Sequence, residues 1–220
     1  MSSQDQSIRS NGFPDVSVPA PLRMTEEEFV AWCDEDTRAE WVDGEVVMMS
    51  PANYEHASLQ KWLGGVLAIY VEEHDLGTLL GPEYQARLPE RPSRRVPDIL
   101  FVSKARENLI ERTQLRGAPD LCIEIVSPDS EARDWREKYL EYEAAGVNEY
   151  WVIDPASEHV EVYALTERED GPAKYQRVAE QEGVILSTVL EGLRLPVEWL
   201  WPATRPKMLE AIQKLGLVGG

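Results

Sequence analysis

The run Asp120-Leu-Cys-Ile-Glu-Ile-Val126 most constrains the fold, because apolar residues occupy consecutive positions along it. Successive side chains of a strand point to opposite faces, so such a run predicts a strand that is buried on both sides. Glu124 interrupts the run with a carboxylate, and burying a carboxylate is costly unless another group pairs with it or binds it. The sequence therefore predicts a central strand that carries one paired or ligand-binding acid.

The segments around this run predict an α/β (α+β) fold, in which a mixed sheet is flanked by helices and additional hairpins. Apolar residues recur every three or four positions from Tyr54 to about His74, as an amphipathic helix requires. A second helix is predicted from Glu131 to Ala145, with Gly146 as its C-terminal stop. The remaining predicted elements are strands at 78–88, 96–102, 149–154, 159–165, 174–179 and 184–195, and a helix near 207–215.

Two local signals predict the structure that precedes the long helix. Thr25, followed three residues later by Glu28, resembles a capping box and predicts the start of a short helix. The segment from Arg38 to Met49 contains two β-rich runs around Asp43-Gly44, and an Asp-Gly pair favours a tight hairpin. Further along the chain, Pro89 to Arg95 is predicted to be a basic turn.

The chain length of 220 residues suits one large domain with appendages. Apolar residues make up 43% of the chain, which is enough for a sizeable core and excludes a disordered protein. Residues 1–20 are rich in Ser, Gln, Asn and Pro and are predicted to be a mobile tail. Residues 21–200 are predicted to be the folded domain, and 201–220 a C-terminal helical extension.

The predicted location of the protein is the cytoplasm, with no membrane partner. The N-terminus lacks the apolar region of a secretory signal, and no stretch approaches about 18 consecutive apolar residues. The two cysteines, Cys33 and Cys122, cannot by themselves form a disulfide framework or a four-ligand zinc site. A reducing compartment fits this cysteine content best.

The formal net charge of −18 argues against a nucleic-acid partner, because phosphate binding uses clustered Lys and Arg. The charge is unevenly distributed, however, since 11 of the 22 basic residues lie between Arg87 and Lys138. Arg91, Arg94 and Arg95 fall in the predicted basic turn. If that turn borders the site, these arginines could position phosphates, whereas ordinary solvated surface arginine explains them equally well.

Three charged residues on neighbouring predicted elements predict the chemistry of the site. Asp98 follows Pro97 in a predicted strand, Glu124 lies 26 residues later in the central strand, and Lys138 lies on the next helix. Two carboxylates at one sheet edge suit a hard divalent cation such as Mg²⁺, which takes oxygen ligands and keeps several waters. Lys138 would then orient a water or stabilise negative charge. The alternative is a structural ion pair of these carboxylates with Lys138 or Arg95.

Three further residues could reach the same sheet edge. Glu55 and His56 open the long helix, and Glu40 lies beside Trp41 in the hairpin. Each has a simpler explanation: a histidine beside an apolar face is often a core residue, and an acid in the first turn of a helix is favoured by the helix dipole. A cross-strand pairing would explain Glu40 equally well.

Together these residues resemble the Uma2 family of the PD-(D/E)XK nuclease superfamily. The resemblance covers about residues 25–200 and rests on the following motifs: Trp41-Val-Asp-Gly-Glu45, Ser50-Pro51, Glu55-His56, Pro97-Asp98, Ala118-Pro-Asp-Leu121, Glu124-Ile-Val126, Lys138 and Gly146-Val-Asn-Glu-Tyr-Trp-Val-Ile-Asp-Pro155. It implies a restriction-endonuclease-like fold and an endonuclease that acts on nucleic acid, specifically DNA.

The resemblance also implies roles for individual residues. Asp98, Glu124 and the backbone carbonyl of Ile125 would bind Mg²⁺ (or Mn²⁺), and the catalytic residues would be Asp98, Glu124, Lys138 and His56. The superfamily pattern places a lysine two positions after Glu124, where this chain has Val126. Lys138 would therefore supply the ammonium from the following helix.

The sequence leaves three functions open. The chain could be a metal-dependent endonuclease for DNA, a catalytically inactive nuclease-fold module for binding or assembly, or a hydrolase whose substrate is not ordinary duplex DNA. The acidic composition favours the second and third of these over the first. Fold alone does not decide between them, and the sequence also leaves open whether the chain forms a homodimer.

Overall fold

The computed structural model describes residues 21–34, 36–88, 91–127, 133–178 and 181–217. The predicted tail over residues 1–20 lies outside this part. The α-helices within it are α1 (Glu26–Trp32), α2 (Tyr54–Glu73), α3 (Tyr139–Ala145) and α4 (Met208–Lys214). The strands are β1 (Ala39–Val42), β2 (Glu45–Met48), β3 (Gly77–Leu80), β4 (Gln85–Leu88), β5 (Ser93–Arg95), β6 (Ile99–Ser103), β7 (Gln114–Arg116), β8 (Leu121–Ile125), β9 (Glu149–Asp154), β10 (His159–Arg168), β11 (Gly171–Arg177), β12 (Val184–Leu186) and β13 (Arg194–Pro196).

Over the described ranges these strands form two larger sheets and a two-stranded ribbon, β12-β13. The six-stranded sheet has the order β11-β10-β9-β8-β6-β3, in which β8 and β9 are parallel and the other neighbours antiparallel. The five-stranded sheet has the order β2-β1-β5-β4-β7, with β4 and β7 parallel. The predicted mixed α/β (α+β) fold is confirmed, and the strands are divided between sheets.

The strand β8 is buried on both faces, as its sequence predicts. Leu121, Ile123 and Ile125 belong to one apolar cluster with the buried residues of α2. Cys122 belongs to a second cluster on the opposite face, which also contains Leu88 of the five-stranded sheet. Glu124 alternates with these residues and therefore lies on the same side of β8 as Cys122.

The predicted long helix is confirmed as α2. The side chain of Asn53 accepts a hydrogen bond from the backbone N–H of His56 at 2.8 Å and caps the helix. The residues Leu59, Leu63, Val66 and Leu67 are completely buried against the six-stranded sheet. Because His56 lies one turn before Leu59, the capped end of the helix reaches the edge of this apolar contact.

The capping box and the hairpin are also confirmed. Thr25 accepts a hydrogen bond from the Glu28 backbone, and the Glu28 side chain accepts one from the Thr25 backbone at the start of α1. Asp43 and Gly44 both have positive φ, 48° and 84°, which a two-residue turn of type I′ requires. Local chemistry therefore determines this part of the chain.

Two predictions for residues 78–95 are wrong. The single strand predicted over 78–88 is two strands, β3 and β4, which belong to different sheets. The chain passes between the sheets at Gly81, where φ is 123° and an added Cβ would lie 2.6 Å from the carbonyl oxygen of Asp98. The predicted basic turn ends in β5, the middle strand of the five-stranded sheet, while residues 89 and 90 lie outside the described part.

The helix predicted from Glu131 to Ala145 is described from Arg133 onward. Arg133–Lys138 form a π-helical turn that continues into α3, which ends at Gly146 in the left-handed conformation with φ 81°. Such turns are frequent at functional sites. Across the five described ranges, none of the helices combines the length and the apolar character needed to cross a membrane.

Candidate active site

A cavity of about 810 Å³ brings the four predicted catalytic residues together. Asp98, Glu124, His56 and Lys138 all line it, although they come from the entry to β6, from β8, from α2 and from the π-helical turn. Ile125, the predicted backbone ligand, lines it as well. Residues of α1 and of β1 also line this cavity.

The Asp98 carboxylate is held by donors from two elements. The backbone N–H of Ile125 donates to Oδ2 at 2.7 Å, and Gln60 Nε2 donates to Oδ1 at 2.9 Å and to the Asp98 carbonyl at 3.2 Å. His56 Nε2 lies 3.0 Å from Oδ1 and 3.1 Å from Oδ2. Both carboxylate oxygens therefore have fixed positions before any ligand binds.

The Glu124 carboxylate is almost completely buried and is also contacted on both oxygens. The Tyr142 hydroxyl donates to Oε1 at 2.7 Å, and Lys138 Nζ lies 2.8 Å from Oε2. Burial raises the pKa of Tyr142 far above its usual range, and the charge of Glu124 raises it further, so the hydroxyl remains a donor. The cost of burying Glu124 is offset by one cation and one hydrogen bond.

Behind Lys138 the charges continue into a buried network. Lys138 Nζ lies 3.9 Å from Glu40 Oε1, while Glu40 Oε2 accepts from Arg95 Nη1 at 2.7 Å and Oε1 accepts from the Val96 backbone at 3.0 Å. Burial alone would raise the pKa of Glu40, but Lys138, Arg95 and the Val96 hydrogen bond outweigh burial and lower it to about 2. Glu40 is therefore ionised at neutral pH.

Arg95 joins this network to α3. Its Nη2 and Nε lie 2.6 and 3.0 Å from Glu141 Oε2, and the Ser93 hydroxyl donates to the other Glu141 oxygen. We call the arrangement of Glu40, Glu124, Glu141, Arg95 and Lys138 the ionic cluster, because ion pairs connect these residues to one another.

The structure separates the remaining candidates. Glu40 lines the cavity, whereas Glu55 is exposed on the first turn of α2 and is not among the lining residues. Its simple explanation as a first-turn acid is sufficient. Glu40 makes a cross-strand ion pair, because β1 pairs with β5 and its carboxylate reaches Arg95 there, whereas its neighbour in β2 is Val47.

The three arginines of the predicted turn have other roles. Arg95 is buried with Glu40 and Glu141, and Arg94 is buried with its Nε 2.9 Å from Glu26. Arg91 is exposed and pairs with Asp43 at 2.6 Å. The interpretation as ordinary solvated surface arginine is therefore wrong for Arg94 and Arg95, and Arg94 lines the cavity.

The sequence reasoning missed Gln60, Tyr142 as a partner of Glu124, and Glu141. Gln60 had a detectable signal, because it lies four residues after His56 and residues at this spacing share one face of a helix. The pairing of Arg95 with Glu141 had no such signal, since the two residues are 46 positions apart.

The cavity thus brings two carboxylates and a lysine together beside β6 and β8, two interior strands of the six-stranded sheet. The profile of the Uma2 family, described as "Putative restriction endonuclease", matches residues 26–198. The chain belongs to the Uma2 family. Membership of this family supports a nuclease function, and the resemblance of the sequence motifs to the Uma2 family is confirmed.

A solved structure shares the fold. It is a crystal structure described as a putative nuclease belonging to DUF820 from Anabaena variabilis, with 21% sequence identity and a TM-score of 0.66. The similarity covers 83% of this chain and 97% of that chain. A comparison with curated proteins found no match.

Proposed function

We propose that the protein is a metal-dependent endonuclease that hydrolyses phosphodiester bonds in DNA. Asp98, Glu124 and the backbone carbonyl of Ile125 would hold Mg²⁺ or Mn²⁺, as the sequence resemblance implies. The observation that carries this proposal is that Asp98, Glu124, Ile125 and Lys138 line one cavity, with the Lys138 ammonium 2.8 Å from Glu124 Oε2. A hard divalent cation takes oxygen ligands of this kind.

The donor set fits a hard cation with few protein ligands. Among the described residues no three His, Cys, Asp or Glu side chains are grouped so that they could hold a metal ion. Mg²⁺ commonly binds through one or two carboxylates and keeps its waters and substrate oxygens, so two carboxylates are enough. A structural Zn²⁺ site, which needs four ligands, does not fit.

The residues around the carboxylates would have distinct tasks. A bound Mg²⁺ supplies Lewis-acid stabilisation of a phosphoryl oxygen and lowers the pKa of a coordinated water. Lys138 holds an ammonium next to Glu124, where it stabilises negative charge that develops on the phosphate. His56 would orient Asp98 through Nε2, which lies within hydrogen-bond distance of both carboxylate oxygens.

The test is DNA cleavage in the presence of Mg²⁺ or Mn²⁺, compared with EDTA. Asp98→Asn and Glu124→Gln should each lower turnover by about 10²–10³-fold, because each removes a charge that the cation needs. Asp75→Asn is the matched control, since Asp75 is exposed and pairs with Lys104 outside the cavity.

The second candidate is a nuclease-fold module that binds or assembles without cleaving. It is favoured by the arginines of the five-stranded sheet, whose charges are used in ion pairs. If the folded wild-type protein cleaves no DNA with either metal, and calorimetry shows no Mn²⁺ binding that Asp98→Asn removes, the endonuclease proposal is wrong and this second candidate replaces it.

A further inference from the structure

The carboxylates of the cavity lie at its bottom. Only 12% of the Asp98 side chain, 3% of that of Glu124 and 6% of that of Lys138 is accessible to solvent. A phosphodiester that reacts here must therefore enter a concave site. The backbones of a stiff duplex lie on the outside of a double helix, and a nucleotide enters a recessed pocket most easily when it is single-stranded or turned out of the helix.

The mouth of the cavity repels dense negative charge. Asp34, Asp36 and Glu83 line it and are exposed, and the exposed Arg38 is paired with Glu83. Double-stranded DNA carries one charge per about 1.7 Å of its axis, whereas one strand carries one per about 3.4 Å. A single strand therefore meets about half the repulsion per unit length.

The basic segment does not compensate for this rim. Arg87 pairs with Glu26, and further described pairs along the segment include Arg91–Asp43, Arg94–Glu26, Arg106–Asp120 and Arg116–Glu111. A cation that is already paired gains little from a phosphate, because it must give up its carboxylate. Most of the described cations of this segment are thus already held in ion pairs.

Part of the cavity wall is apolar. Val30, with 51% of its surface exposed, Met49, Ala52 and Pro82 line the cavity beside the acids. An apolar wall suits the face of an unpaired base, whereas in a duplex both faces are stacked on neighbouring pairs. A volume of about 810 Å³ also lies within the range of pockets that hold small ligands rather than a double helix.

We infer that the substrate is an unpaired nucleic-acid strand, such as a single-stranded end or flap, whose base packs on the apolar wall while its phosphate reaches Asp98 and Glu124. This inference rests on the proposed function, because it assigns the substrate class of the same site. Binding should depend only weakly on salt, since few free cations are available to displace counterions.

The experiment compares the full chain on one labelled 20-nucleotide DNA strand, on its blunt duplex and on the same duplex with a single-stranded overhang. With Mn²⁺, kcat/KM should be at least about tenfold higher for the single strand and the overhang than for the blunt duplex, because neither must be unpaired. Binding is measured in parallel by anisotropy in Ca²⁺.

The outcomes separate the two proposals. Equal or faster cleavage of the blunt duplex overturns the unpaired-strand inference and leaves the nuclease standing. No cleavage together with preferred binding of the single strand overturns the nuclease and leaves the inference standing as a binding preference. If nothing is cleaved and nothing binds, both are wrong.

Two matched pairs of variants test the cavity wall and the rim. Met49→Ser should raise KM for the single strand by roughly threefold to tenfold because it removes apolar contact, whereas Met48→Ser, at an exposed neighbour that does not line the cavity, should not. Asp36→Lys should lower that KM, and Asp170→Lys, which changes the net charge equally at a distant turn, should have a much smaller effect. Equal effects within both pairs would overturn the inference.

Discussion

The two faces of the six-stranded sheet differ in the interactions by which neighbouring elements pack on them. The face under α2 is packed with apolar side chains, among them Leu63, Val66, Phe101 and Ile123. The opposite face carries a second apolar cluster and, beside it, the ionic cluster that connects this sheet with the five-stranded sheet and α3. The first face is mainly apolar, with the buried Glu149 held by hydrogen bonds from Trp151 and Thr188, whereas the second depends on complementary charges.

This difference separates stability from chemistry. Apolar contacts tolerate changes of shape and act without specific partners. A buried charge needs each of its partners, because removing one leaves an uncompensated charge in a medium of low polarity. The protein therefore places Glu124 and Lys138 on the face where pairing determines placement, whereas His56 and Gln60 hold Asp98 from α2. Four predictions test this comparison.

The largest effect is expected at Arg95. Arg95→Met removes the guanidinium between Glu40 and Glu141, both of which are buried, so the free energy of unfolding should fall by about 3–5 kcal/mol. Urea unfolding measures it. Arg91→Met is the control, because the exposed Arg91–Asp43 pair should contribute at most about 1 kcal/mol. If Arg95→Met and Arg91→Met lower the free energy of unfolding equally, the loss of Arg95 does not leave a destabilising buried charge in the ionic cluster.

On the apolar face, Leu63→Ala should lower the free energy of unfolding by about 2–5 kcal/mol, because Leu63 is completely buried and its truncation leaves a cavity. Below the unfolding transition, the turnover of the folded fraction should be unchanged. Unfolding curves and turnover per active molecule are the two measurements. A loss of turnover without a loss of stability would contradict the division between the two faces.

The pKa of Glu40 predicts a dependence on pH. A carboxyl group whose folded pKa is about 2 favours the folded state above its unfolded pKa, near 4.5, and this contribution is lost as pH falls toward 2. Its size is about 3 kcal/mol. The difference in unfolding free energy between the wild type and Glu40→Gln should be constant above about pH 5.5 and shrink below pH 4.5. A difference that stays constant down to pH 3 would rule out this linkage.

The smallest effect is expected at Gln60, which contacts Asp98 from α2 and so connects the α2 face of the sheet with the cavity. Gln60→Leu removes both hydrogen bonds to Asp98, so Mn²⁺ affinity should fall by about tenfold with little change in stability. Isothermal titration calorimetry measures the affinity. Ser58→Ala, on the same helix but in contact with Arg205, is the control. Equal Mn²⁺ affinities for wild type and Gln60→Leu would mean that Gln60 does not position Asp98.

Several elements follow from local sequence. The hairpin turn needs positive φ at Asp43 and Gly44, and the helix start needs the reciprocal hydrogen bonds of Thr25 and Glu28. The two-sided burial of β8 follows from its consecutive apolar residues, and Glu124 stands out there because it is a charge in an apolar strand. These signals depend on residues within a few positions of one another, so the sequence displays them directly.

The composition of the cavity is only partly predictable in this way. Asp98, Glu124, Lys138 and His56 were identified from the sequence as one site, and the structure shows that they line one cavity. Their roles in binding metal and in catalysis remain predictions. Gln60 was missed although its spacing from His56 places it on the same helix face.

By itself, the sequence determined which faces of each element are apolar, where the tight turns occur and which acidic residues interrupt apolar segments. Tertiary structure decided that residues 78–88 divide between two sheets, that Arg94 and Arg95 lie in a central strand, and that Glu40, Arg95 and Glu141 pair. The periodicity of apolar residues shows only which face of a segment is buried. Glu40 and Arg95 are 55 positions apart, and their pairing depends on how distant segments pack, because a buried charge is stable only where the fold brings its partner.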